Sequence, residues 1–202
     1  VSDARDETFD IDRKTLHHGR KFNFELVTAI DTRGRTIRRE VVRHPGAVVL
    51  VPILDRADSE PVVLFVDQHR IAIERWILEL PAGTIEAGEA PETCAARELI
   101  EETGYEAATI EALGRFYTSP GLGDELMHAF LARDLSWVGQ RLEPHERLVV
   151  TEIEAGRVRQ MLARGDLMDA KSIIALEMAG RCGAFDGSGD ADGGAFPGNA
   201  CR

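Results

Sequence analysis

Short alternating and β-branched runs dominate the first half of the chain, and helical spacing appears only after it. Phe24, Leu26 and Thr28 alternate with Asn23, Glu25 and Val27, and Asp31-Thr-Arg-Gly34 supplies turn chemistry, so residues 22–42 read as strand, turn, strand. Residues 46–54 and 61–67 are β-branched runs separated by the polar stretch 55–60, which predicts two buried strands joined by an exposed loop. Residues 76–80, 111–117 and 126–131 read as further strands. Residues 91–103 form the clearest helical segment, because Pro91 suits the first turn and Gly104 suits the position just past the end. Residues 154–164 and 171–180 also read as helices. Residues 1–15 are polar without a period and read as a flexible arm, and 16–45 as a small N-terminal β subdomain. Residues 46–180 form the main domain. Residues 181–202 read as a disordered acidic tail, since the stretch from Gly180 holds seven of the 19 glycines with Asp186, Asp190 and Asp192. The mixture predicts an α+β fold with a mixed sheet and no internal repeat.

At 202 residues the chain is long enough for a real hydrophobic core, which excludes a disulfide-stapled miniprotein. Twenty-four basic against 35 acidic side chains give a formal charge of −11, which repels a phosphate backbone and argues against nucleic acid as a partner. A small anionic ligand then needs local basic residues or a bound cation. The apolar stretch 47–54 is interrupted by Pro52 and falls far short of the roughly 20 residues of a membrane span, so no membrane association is expected. The N-terminal residues lack the pattern of a secretory signal. Cys94, Cys182 and Cys201 lack the even count and close spacing of a disulfide or zinc framework, and a cytoplasmic location is the natural expectation.

On the 91–103 helix, Glu98, Glu101 and Glu102 fall at i, i+3 and i+4 on one face, opposite Ala96, Leu99 and Ile100. Three like charges so placed repel one another unless something positive lies between them. Clustered carboxylates are hard oxygen ligands suited to Mg²⁺ or Mn²⁺, ions that keep positions open for water and phosphate oxygens. The bare segment Arg97-Glu98-x-x-Glu101-Glu102 also fits an ordinary solvated surface. The wider spacing decides between the two: Gly83, five residues, Glu89, seven residues, Arg97-Glu98, an aliphatic residue, any residue, Glu101-Glu102, any residue, Gly104. Seven fixed positions give a chance match below about one in a million for a chain of this length. The spacing resembles the Nudix box, departing from it only in Tyr105, where an aliphatic residue is usual.

The resemblance to Nudix hydrolases implies an α/β/α sandwich around a mixed β-sheet, a loop–helix–loop metal site, and hydrolysis of a nucleoside diphosphate linked to another moiety. It implies Glu98 and Glu102 as metal ligands, with the backbone carbonyl of Ala82 as a third, and Glu101 as an additional ligand or orienter. Glu89 and Arg97 are implied to brace the loop against the helix, with Gly83 and Gly104 as structural positions. Cys94 reads as a small packed residue.

Several segments outside the box resemble the ADP-ribose pyrophosphatase branch: Gln68-His-Arg70 before Trp76-Ile-Leu-Glu79-Leu-Pro-Ala-Gly83, Pro120 sixteen residues after Gly104, and Asp169-Ala-Lys171-Ser-Ile-Ile-Ala-Leu176. The resemblance spans roughly residues 16 to 180 and implies cleavage of ADP-ribose to AMP and ribose 5-phosphate. Arg70 is then expected on a phosphate or the terminal ribose, since a guanidinium offers a fixed fork of donors. Glu79 and Glu125 are expected to hydrogen-bond ribose or adenine groups. Phe22 or Phe24 is expected to stack on adenine, with Arg39 and Glu40 beside it. Arg39 stands where relatives carry an aromatic, although a guanidinium also stacks on a base. The catalytic base is expected from the loop 141–150, with Glu146 favoured and Glu143 next. The branch further implies Mg²⁺, with Mn²⁺ as the alternative, and a homodimer in which residues 16–45 cross to the partner.

Two other readings compete. One is a Nudix hydrolase of another sugar nucleotide or dinucleotide, such as GDP-mannose or NADH. The other is a module that senses ADP-ribose without cutting it. Sensors commonly lose a box carboxylate, and here all are present.

Overall fold

The computed structural model describes residues 8–57, 59–142 and 147–185, which form two compact units. One runs to Gly46 and includes Tyr117–Leu126; the other holds Ala47–Phe116 and the residues from Met127 onward.

The first unit is a three-stranded antiparallel sheet in the order β1 (Phe9–His18), β2 (Asn23–Asp31), β3 (Thr36–Arg43). The β2–β3 hairpin turns at Asp31, whose carboxylate accepts from the backbone N–H groups of Arg33 and Arg35 at 2.9 and 2.8 Å, while Gly34 takes a φ of 79°. Only backbone pairing to β2 identifies β1. Every β1 residue is exposed, so the hydrophobic pattern that betrays a half-buried strand is missing, and the expected loose arm is a strand from Phe9 onward. Residues 117–126 of this unit close onto β3: Val42 N–H donates to Leu122 O at 2.9 Å, and Asp124 N–H donates to Val42 O at 3.2 Å.

The second unit is a mixed seven-stranded sheet. Its main path runs β10 (Leu148–Glu154), β5 (Ser59–Arg70), β4 (Ala47–Arg56), β9 (Leu126–Trp137), β8 (Tyr105–Tyr117), while β6 (Arg75–Glu79) pairs with β5 and β7 (Ala82–Thr84) with β4. β4 and β9 are parallel, whereas β4–β5, β5–β10, β5–β6 and β4–β7 are antiparallel. Successive β4 side chains go to opposite faces and are buried on both. Val48 and Leu50 pack with Cys94, Ala95 and Leu99 of α1 (Pro91–Thr103). Val49, Val51 and Ile53 pack with Ala155 and Val158 of α2 (Ala155–Arg164) and with Ala175, Leu176 and Ala179 of α3 (Ala170–Arg181). This is the α/β/α sandwich around a mixed sheet that the family resemblance implied. None of these helices is long and apolar enough to cross a membrane.

β10 corrects the sequence reading. Leu148, Val149 and Val150, assigned to the 141–150 loop, pair with Gln68, Asp67 and Val66 of β5.

Candidate functional site

The geometry of the site begins with β7. Its three residues lie antiparallel to Val49, Val48 and Ala47 of β4, and Leu50 N–H donates to Pro81 O at 2.9 Å, so residues 81–84 are pinned to the most deeply buried strand of the sheet. α1 then lies against β7. It begins at Pro91, where a missing N–H costs nothing, and ends at Gly104, whose φ of 79° suits a left-handed cap and whose N–H donates to Ile100 O.

This docking brings two carboxylates onto adjacent residues of β7. Glu102 Oε2 accepts from Ala82 N–H at 2.9 Å. The Glu98 carboxylate occupies the space that a side chain at position 83 would need, so any larger residue there displaces it. Glu98 and Glu102 are both buried, and Glu101 is half-buried. Arg97 lies among the acids. Its Nε and Nη2 donate to Glu89 at 2.9 and 3.0 Å, while Nη1 donates to Glu98 at 2.7 Å and to Glu101 at 2.9 Å. The cation that three neighbouring carboxylates require is thus partly supplied by the protein. The Arg97 hydrogen bonds hold the Glu89 carboxyl down at about 2, and the same bonds raise the Arg97 pKa above its usual value. Cys94 is fully buried beside them, and burial pushes its thiol up to about 12, which suits packing and not metal ligation.

Among the described residues, no three acidic, histidine or cysteine side chains form a cage that could hold a metal unaided. The donor set nonetheless fits a hard divalent cation. Two buried carboxylates converge on adjacent residues of β7, and an ion of this class completes its shell with further oxygens from backbone, water and substrate.

A second cluster forms where β5, β6 and α3 meet. Arg70, at the end of β5, makes a side-on fork to Glu79, with Nε to Oε1 at 2.7 Å and Nη2 to Oε2 at 2.6 Å. Glu79 also receives Lys171 Nζ, which donates to Asp169 at 2.8 Å. Burial works to raise the Glu79 pKa, but the hydrogen bonds from Arg70 and the nearby Lys171 charge outweigh it and the carboxyl is held below its ordinary value. Asp169 caps α3 through Ser172 N–H at 3.0 Å, and Ser172 Oγ accepts from Leu80 N–H at 2.7 Å. Glu79, expected to face ribose or adenine, is therefore occupied by two protein cations.

The remaining expected substrate contacts belong to the first unit. Phe22, Arg39, Glu40 and Pro120 are exposed, and Arg39 Nη1 donates to Arg38 O. Glu125 is partly buried and accepts from Thr118 Oγ1 at 2.6 Å. Beside it, Asp124 accepts from Arg43 Nη1 at 2.8 Å and His44 N–H at 2.9 Å, a network that sequence reasoning missed. Lys171, Asp169 and Ser172 were missed as site residues too. An Asp immediately before a helical run signals a cap, but nothing local links it to Glu79. The candidate bases Glu143 and Glu146 lie outside the described residues.

Comparison with known proteins identifies relatives of this chain. The NUDIX domain model matches residues 43–172. An ADP-ribose pyrophosphatase of Bacillus subtilis (strain 168) is 40% identical over 146 residues, 71% of this chain and 77% of that protein. The methanol dehydrogenase activator of Bacillus methanolicus is 36% identical over 169 residues, 83% of this chain and 89% of that protein. Among solved structures, one described as an ADP compounds hydrolase superposes with a TM-score of 0.72, covering 90% of this chain and 96% of its own at 23% identity, a likeness of fold. Members of the matched family generally need a divalent metal. With its complete box folded into β7 and α1, the chain belongs to the Nudix family.

Proposed function

We propose that this chain is an ADP-ribose diphosphatase, which adds water across the diphosphate to give AMP and ribose 5-phosphate. The observation that carries the reading is the seating of Glu98 and Glu102 on Gly83 and Ala82. The 40% identity to an ADP-ribose pyrophosphatase supports the choice of substrate. Glu98, Glu102 and the Ala82 carbonyl would hold Mg²⁺, with Mn²⁺ as the alternative. When bound, such an ion offsets diphosphate charge and lowers the pKa of water.

The chain's own residues supply the rest. Arg70, with its fork to Glu79 fixed, offers its remaining donors to a diphosphate oxygen. Glu101 orients the acidic face through Arg97. Glu146, or Glu143 in its place, takes the proton from the attacking water as one P–O bond forms and the other breaks. Phe22, Arg39, Glu40, Pro120 and Glu125 are assigned as the adenosine contacts. We place the protein in the cytoplasm as a homodimer. The exposed apolar side chains Phe9, Ile11 and Leu16 of β1 support an association through that unit.

Because Arg39 replaces an aromatic, GDP-mannose stands as the second reading. Turnover of ADP-ribose, GDP-mannose and NADH at equal concentration, with Mg²⁺ and with Mn²⁺, tests the choice. The expected result is the highest kcat/KM for ADP-ribose, with AMP as product. A different best substrate replaces the proposed one, and binding of ADP-ribose without any turnover favours a sensor.

A further inference from the structure

The cluster around Glu79 holds one more charge than the proposed chemistry uses. Arg70 and Lys171 are both directed at Glu79, and Lys171 also binds Asp169. The Arg70 side chain is 44% exposed while that of Glu79 is 3% exposed, so the carboxylate anchors the guanidinium from inside. The side-on fork uses Nε and Nη2 and leaves the Nη1 donors for another anion.

Two consequences follow from where Lys171 stands. Its ammonium fixes Glu79 Oε2, the same oxygen that receives Arg70 Nη2. It also sets the local charge: Arg70 and Lys171 face Glu79 and Asp169, with Glu102 also acting on Arg70, and losing the lysine makes the corner one unit more negative beside a group that must meet a diphosphate. The same helix turn continues into the box segment, since Ser172 Oγ accepts from Leu80 N–H and Ala82 N–H, two residues on, donates to Glu102.

We infer that Lys171 is a positioning residue for substrate binding, holding the Glu79 carboxylate and balancing its charge so that Arg70, anchored by its fork to Glu79, presents Nη1 to the diphosphate. This rests on the reading of Arg70 as a diphosphate contact.

Lys171→Met, Arg70→Ala, the double variant and Asp169→Asn test it, with steady-state kinetics on the best substrate of the panel above and Tm by calorimetry. Lys171→Met is expected to raise KM about 10-fold or more with kcat changed less than about threefold, the pattern of lost substrate binding. In the double variant, removing Lys171 adds little to the loss from Arg70→Ala, because the lysine acts through that arginine. Asp169→Asn keeps a capping oxygen and removes one negative charge, so its KM is expected at or below the wild-type value.

A purely architectural lysine gives other results: kcat falling with Tm, additive losses in the double variant, or both charge variants harmful in the same direction. Any of these overturns the inference. If Lys171→Met does not fold, Asp169→Asn decides alone, and a raised KM there overturns it. Additive losses in an active enzyme refute the role of Lys171 and leave the hydrolase reading standing. A wild-type chain that turns over no panel substrate removes both.

Discussion

Gly83→Ala separates the architecture of the site from its chemistry. A methyl at position 83 would stand inside the van der Waals envelope of all three atoms of the Glu98 carboxylate, with no backbone among its nearest contacts. Ordinary contact begins near 3.4 Å, so the carboxylate must retreat by about 1 Å or more, a displacement that can cost on the order of 100-fold in rate. The strain falls on the end of a flexible side chain, and Gly83 is not among the glycines with positive φ, so alanine suits the backbone. The cost to stability is then about 1 kcal/mol, equivalent to a Tm change of about 2–4 °C for a chain of this size. The assay is kcat for AMP release across a titration of Mg²⁺, beside calorimetry of the same preparation. The expected outcome is a fall of about 100-fold or more in kcat with a small Tm change and a weakened Mg²⁺ requirement curve. Activity within threefold of wild type would refute the claim that Glu98 works from its seat on Gly83. A collapse in Tm matching the loss of activity would show instead that Gly83 is needed only for folding.

Gly104→Ala should act in the opposite way. The residue has a φ of 79°, and its methyl would meet the Trp137 ring and lie 2.8 Å from Gln140 N, so a loss on the order of 2–3 kcal/mol and a Tm drop of ~5–10 °C are expected in thermal unfolding. Glu89, held at about 2 against an ordinary 4.5, stabilises the fold fully above pH 4.5, and that contribution is lost as pH falls from 4.5 toward 2. Glu89→Gln should therefore be less stable than wild type at neutral pH and should flatten the acid limb of a stability–pH curve from urea unfolding; an unchanged acid limb would contradict the Arg97 brace.

The elements legible in the sequence are those whose signals are local. Helix α1 carries its start in Pro91 and its stop in Gly104, and its acidic face follows from helical spacing alone. The strands of the main sheet show as β-branched runs because β4 and β5 are buried on both faces. Strand β1 escaped detection because exposure on both faces erases the alternation. β7 escaped because three residues cannot show a period, and pairing with β4 alone defines it. The Lys171–Glu79 contact joins residues 92 apart in sequence, and no local pattern encodes it. The resemblance placed Arg70 and Glu79 near substrate, but only the folded chain reveals that they bind one another. Asp124, next to the expected Glu125, was passed over for the same reason: its partners Arg43 and His44 lie 81 and 80 residues away.

The most direct test of the account is AMP release from ADP-ribose with Mg²⁺ by the parent chain and by Glu102→Gln. Glutamine keeps an oxygen that can accept from Ala82 N–H while it removes the charge and turns the other oxygen into an NH₂ donor, so the fold should be retained. The account expects rapid release by the parent and a fall of roughly a thousandfold or more in the variant, equivalent to several kcal/mol of lost transition-state stabilisation. Retention of the parent rate within tenfold by a folded Glu102→Gln chain would contradict it.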